Sequence, residues 1–154
     1  MLSERTRQNI KALIERYPQR RSALIPSLQL AQEEVGYLSS DVIREVAQVF
    51  ELSPNEVYEV ASFYTMLYKK PVGRYVIQVC TNISCLLCGS EGIMSHLEKK
   101  LGIKPGETTP DNKFTLMEVE CLASCGTAPV IQINEDYHEG LTPEKLDQIL
   151  DGLK

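Results

Sequence analysis

Surplus positive charge, histidine and long apolar runs are all scarce in this chain of 154 residues, and each shortage removes a class of function. Acidic residues outnumber basic ones, for a formal net charge of −5. A nucleic-acid binder needs a basic face to neutralise phosphates, so no nucleic-acid partner is expected. The longest apolar runs, such as "YVIQV", fall far short of the ~20 residues that cross a bilayer, so direct membrane insertion is not expected either. The opening "MLSERTRQNIKALIERYPQ" mixes charges of both signs and has no apolar centre of the kind a signal peptide carries. A soluble, intracellular chain is the expectation. No Gly-rich dinucleotide fingerprint is present, and "GETTPDN" neither matches the phosphate-loop pattern nor opens a helix. Nucleotides should therefore bind elsewhere.

What is there reads as two regions. Hydrophobic residues make up 43% of the chain and charged residues 24%, a globular composition without a disordered window. Residues 1–70 read as a small helical bundle. Ile10, Leu13, Ile14 and Tyr17 form one apolar stripe at helical spacing, and Leu24, Leu28, Ala31 and Val35 form a second, stopped by Gly36. Ser39 can cap a third helix facing inward with Val42, Ile43, Val46, Val49 and Phe50. "SPNE" (53–56) is a full start signal for a fourth: N-cap serine, proline at N1, and a glutamate closing a capping box. After "KKPVG" (69–73) the pattern changes. Residues 71–154 read as β-α-β-β-α: strands in "RYVIQVC", "FTLMEVE" and "APVIQIN", a short return in "EDYHEG", and helices in "SEGIMSHLEKKLG" and "TPEKLDQILDGL". That order is compatible with a thioredoxin-like α/β domain, its first two strands parallel and joined by a right-handed crossover. The predicted class is thus α/β, a helical bundle followed by a thioredoxin-like domain.

All five cysteines lie in two patches, "VCTNISCLLC" (79–88) and "ECLASC" (120–125). In a reducing compartment, clustered cysteines bind metal or do redox work more often than they form structural disulfides. Cys80 and Cys85 stand in a C-x4-C spacing, Cys121 and Cys125 in C-x3-C, each pair in a loop leaving the C-terminal end of a strand. Parallel strands would bring both loops to one edge of the sheet. Four thiolates suit zinc or an iron–sulfur cluster. Zinc favours tight C-x-x-C knuckles, whereas these wider loops have room for two irons, each served by one pair. Thr81, Asn82, Ser84, Ser124, Gly126 and Thr127 are small and would leave backbone N–H groups free to donate to sulfur. A Rieske centre needs two histidines in the loops, and His96 and His138 lie outside them. One rival remains open: Cys85 and Cys88 spell the C-x-x-C of a thiol–disulfide oxidoreductase, whose nucleophile a helix N-terminus would stabilise. That reading leaves Cys80, Cys121 and Cys125 without a role. A zinc-stapled interaction module is the other alternative.

The runs "VCTNISC", "LEKKLGIKPGETTPDNKFTLMEVECLASCGTAP" and "NEDYHEGLTPEKL" closely resemble the small thioredoxin-like [2Fe–2S] ferredoxin subunit of respiratory complex I, the NADH:quinone oxidoreductase. "VASFYTMLY" (60–68) resembles that family's segment between bundle and ferredoxin domain. The resemblance implies that Cys80, Cys85, Cys121 and Cys125 ligate one [2Fe–2S] cluster and that Cys88 does not. It implies a non-catalytic electron carrier, partnered in a heterodimer by a subunit that holds FMN and binds NADH, within a larger respiratory complex. The place would be cytoplasmic, peripheral on the inner face of the cell membrane. Similar subunits serve NAD-linked hydrogenases and formate dehydrogenases, which stand as the alternative setting. Cys88 is expected at the start of the helix after the first loop, His96 as a solvated helix residue, and Phe63, Tyr64, Met66 and Tyr68 either in the core or facing a partner.

Overall fold

The structure is a computed structural model, and it describes residues 1–153. The chain divides into two compact units, Met1–Pro71 and Val72–Lys154.

The first unit is helical: α1 (Glu4–Ile14), α2 (Leu24–Val35), α3 (Ser40–Phe50) and α4 (Pro54–Phe63), with a 3-10 turn at Arg20–Ala23 leading into α2. Capping chemistry sets most of the boundaries. Ser39 Oγ accepts from Val42 N, and Ser53 and Glu56 form a complete capping box ahead of Pro54. Gly36, at φ 83°, ends α2 in a conformation that favours glycine. Ile10, Leu28, Val46 and Val57 are fully enclosed in the core, with Leu13, Val35, Val49 and Tyr64 packed around it. Tyr17 is the exception to the predicted stripe. α1 ends at Ile14, so Tyr17 falls past the last turn and is exposed. In "VASFYTMLY", Leu67 is buried and Tyr64 packs on the core, while Phe63 stands out at 79% exposure.

The second unit is built on a four-stranded sheet ordered β2-β1-β3-β4, from β1 (Tyr75–Cys80), β2 (Phe114–Val119), β3 (Ile131–Ile133) and β4 (Asp136–His138). β1 and β2 are parallel, in a register that pairs Tyr75 with Phe114 and Cys80 with Val119. β3 runs antiparallel to β1, with Val79 opposite Ile131, and turns back into β4 through Asn134. α6 (Ser90–Leu101) packs on β1 and β2 and against α7 (Pro143–Gly152), which Thr142 caps ahead of Pro143. Ile77, Leu97, Leu116, Ile131 and Leu146 fill the core between sheet and helices.

Two contacts join distant parts of this unit. Thr115 is buried, and its Oγ1 accepts from Gly73 N at 2.6 Å. A Cβ on Gly73 would come within 2.8 Å of the Phe114 backbone, so only glycine fits where β1 begins beside β2. His96 is not a free surface residue: its Nε2 lies 2.8 Å from Asp147 Oδ1, which also accepts from Lys100 Nζ at 2.9 Å, tying α6 to α7. His96 first, and then Lys100, hold the Asp147 carboxyl below its usual range.

Candidate metal centre

The parallel register of β1 and β2 decides where the thiols meet. Cys80 is the last residue of β1 and pairs with Val119, the last of β2, so the chain segments that follow leave the same edge of the sheet. Thr81 keeps them together, its N–H donating to Val119 O at 3.0 Å and its hydroxyl to the same oxygen at 3.2 Å.

The first segment does not stay a loop. Residues Ile83–Leu87 form a five-residue helix, α5, with Asn82 at its N-cap. α5 turns Cys85 inward, leaving it 1% exposed beside Cys80 at 2%. Its outer positions, Ile83 and Leu87, stand 61% and 80% exposed. Leu122 and Val130 are buried with the two thiols, and Val119 and Ala128 pack against them, which gives the site an apolar floor. The Cys85 thiol is pushed up by burial first, then by its hydrogen bond with Cys80 and by the neighbouring charges of Cys80 and Cys125; a backbone N–H from Val130 opposes this.

The second segment is an open loop. Cys121 and Cys125 are exposed. Ala123 takes a left-handed backbone, φ 56°, that few non-glycine residues adopt, and its N–H donates to Cys121 Sγ at 3.2 Å. Cys125 begins a 3-10 turn running to Thr127. Thr127 Oγ1 lies 2.8 Å from Ser124 Oγ and 2.7 Å from Glu139 Oε1, and Ser124 Oγ also donates to Glu139 Oε1. These two bonds, from Ser124 first and then Thr127, hold the Glu139 carboxyl below its usual range.

Cys88 is the C-cap of α5, exposed, its N–H donating to Ser84 O at 3.1 Å, and only Gly89, the N-cap of α6, stands between it and Ser90, the first residue of that helix. A thiol–disulfide oxidoreductase needs an accessible nucleophile favoured as thiolate by a helix N-terminus. Here Cys85 is buried and its thiol is pushed up, so the first cysteine of the C-x-x-C pair is not an accessible nucleophile.

The donor set fits a [2Fe–2S] group. Neighbouring thiols that repel one another as thiolates suit a cationic metal group, and backbone N–H groups already point at two sulfurs, from Ala123 to Cys121 and from Val130 to Cys85. Of the backbone N–H groups expected to be free for sulfur, those of Thr81 and Thr127 are engaged instead, with Val119 O at 3.0 Å and Ser124 O at 3.1 Å. Among the described residues no three His, Cys, Asp or Glu side chains gather as ligands for one metal ion. A two-iron group asks for two pairs, one on each iron, rather than a set around a single point. Two features escaped the sequence pattern: α5, too short to show periodicity, and Glu139, which is distant in sequence from both cysteine patches.

The chain belongs to the thioredoxin-like [2Fe-2S] ferredoxins, whose family model matches residues 10–154. Among individual relatives, it is 49% identical over 148 residues to an E-type subunit of the NADH-quinone oxidoreductase of Rhizobium meliloti (strain 1021), covering 96% of this chain and 88% of the relative. It is 50% identical over 145 residues to the E-type NADH-quinone oxidoreductase subunit of Rickettsia bellii (strain RML369-C), covering 92% and 87%. Among solved structures, a crystal structure of an NAD+-reducing [NiFe]-hydrogenase in the air-oxidized state matches 84% of this chain with a TM-score of 0.75 and 25% identity. This chain spans only 22% of that hydrogenase chain. No helix among the described residues is long and apolar enough to cross a membrane.

Proposed function

We propose that this chain is the electron-carrying subunit of an NADH:quinone oxidoreductase and holds one [2Fe–2S] cluster on Cys80, Cys85, Cys121 and Cys125. The carrying observation is the gathering of two cysteine segments at one edge of a parallel strand pair, in a chain about half identical over most of its length to NADH-quinone oxidoreductase subunits. When bound, the cluster supplies one-electron exchange with FMN held, together with the NADH site, by a partner flavoprotein subunit. The chain's own residues do the rest. Cys80 and Cys85 hold the group from the apolar floor, where Leu122 and Val130 exclude water. Cys121 and Cys125 hold it from the exposed rim, and the Ala123 and Val130 N–H groups stabilise sulfur charge. Ile83 and Leu87 on the outer face of α5 provide apolar contact for the docked flavoprotein. With no nucleotide fingerprint of its own, the chain oxidises no NADH when isolated. It works in the cytoplasm, on the inner face of the membrane, through its complex.

Iron and acid-labile sulfide analysis of anaerobically purified protein tests this reading. Two irons and two sulfides per chain are expected, with a paramagnetic signal only after reduction: two ferric ions couple to zero net spin, and one added electron leaves a half-integer spin. Stoichiometric zinc without sulfide would end the reading. The likeness to the hydrogenase favours a second setting, an NAD-linked hydrogenase carrying the same kind of subunit. Purifying the intact complex separates the two. Quinone reductase subunits in it support the first, and a nickel–iron subunit the second.

A further inference from the structure

We infer that Glu139 is a positioning residue for the metal centre: its carboxylate ties down the Cys125 turn through Ser124 and Thr127, and its charge makes the bound cluster harder to reduce. The inference rests on the cluster reading above and extends it to a residue outside both cysteine patches. Glu139 follows β4, yet its Oε1 takes the hydroxyls on either side of the Cys125–Gly126 pair. Gly140 N donates to Thr127 O at 2.7 Å, so backbone and side chain of the Glu139–Gly140 step grip the same short turn from one side. The turn has little else to fix it. Gly126 lacks a side chain, Cys125 and Thr127 are exposed, and no residue from Cys125 to Thr127 is buried. In the first cysteine segment, burial around Cys80 and Cys85 does that work. On the rim, the Glu139 carboxylate and the Gly140 N–H do it.

The same geometry sets an electrostatic consequence. A fixed negative charge bonded to both neighbours of the Cys125–Gly126 pair disfavours adding an electron to a group held by Cys125. Solvent and the nearby Lys145 ammonium, whose Nζ donates to Glu139 O, reduce the effect without cancelling it. Three variants of the loaded full chain separate the two roles. Glu139→Gln keeps an acceptor oxygen for the hydroxyls and loses the charge. Its cluster content should match wild type, while its reduction equilibrium becomes about fivefold more favourable, roughly 40 mV upward for a one-electron couple. That shift should shrink as salt is raised. Glu139→Asp keeps the charge on a shorter arm, so the potential should hold while a chelator strips iron several-fold faster. Glu139→Ala should show both changes. An unmoved potential in Glu139→Gln, or iron release at the wild-type rate in both Glu139→Asp and Glu139→Ala, would overturn the inference with the cluster reading intact. Wild-type protein lacking iron and sulfide would overturn the cluster reading, and this inference with it.

Discussion

The two cysteine segments reach the same sheet edge by opposite means. The first is held by burial: Cys80 closes a strand, Cys85 turns inward on α5, and both sit over Leu122 and Val130. The second is held by polar bonds in the open: a left-handed Ala123, a 3-10 turn and the Glu139 carboxylate fix two exposed cysteines. A redox centre benefits from the asymmetry. The buried side keeps water from the group, and the exposed side leaves an edge that an electron partner can approach. A uniformly buried site would be shielded but distant from any partner, and a uniformly open one would lose its group to solvent.

The largest expected effect removes the contrast altogether. Replacing Cys80, Cys85, Cys121 or Cys125 by Ala should lose or badly destabilise the cluster, whichever side of the site the residue serves. Cys88→Ser should keep full iron and visible absorbance, with at most a modest shift in potential, because Cys88 caps α5 facing solvent. Cluster loss in Cys88→Ser together with retention in Cys80→Ala would mean that the thiols are paired wrongly.

The contrast should next appear in the metal-free chain, whose main sheet core lies apart from the thiols. Cys85→Ser places a hydroxyl in an apolar, buried position and should lower stability by about 1–3 kcal/mol in urea unfolding. Cys121→Ser, on the exposed rim, should stay within about 0.5 kcal/mol. Equal losses would mean that burial does not distinguish the segments.

A smaller effect tests the rim alone. A β-branched side chain is poorly tolerated at the left-handed Ala123, so Ala123→Val should cost about 1 kcal/mol and speed iron release to a chelator. Ala123→Gly should slow release, and the opposite ranking would remove backbone strain from the account.

The smallest effect is an acid one, confined to the second segment. The Glu139 carboxyl lies below its ordinary 4.5 in the folded chain, so the unfolded chain binds more protons in that range. Its contribution is present above pH 4.5 and fades as pH falls through the lower folded value. Protection of the Thr127 and Gly140 amides, their exchange taken relative to the intrinsic rate at each pH, should therefore fall below pH 4.5 in the metal-free chain, while protection of the Cys80 and Leu86 amides holds. A uniform loss of protection across both segments would contradict this.

The legible parts were those written in local chemistry. Serine caps, Pro54, Gly36 and the apolar stripes of the first unit mark helix ends and inner faces within a few residues, and the structure keeps them, Tyr17 apart. The strand before Cys80 and the capped helix at Thr142 were legible for the same reason. α5 was not, since "ISCLL" spans little more than one turn and carries no repeat. The place of His96 was not legible because its partner, Asp147, lies far away along the chain.

By itself, then, the sequence determined most of the helices and strands, α5 apart, and a cysteine spacing suited to two irons. It did so because capping, periodicity and ligand spacing are short-range properties. Only the tertiary structure decided which thiols are buried, Cys85 among them, and that Glu139 reaches the turn at Cys125. Burial and electrostatic environment depend on which distant strands and turns pack together, and here the parallel register of β1 and β2, with the β3–β4 return, makes that choice.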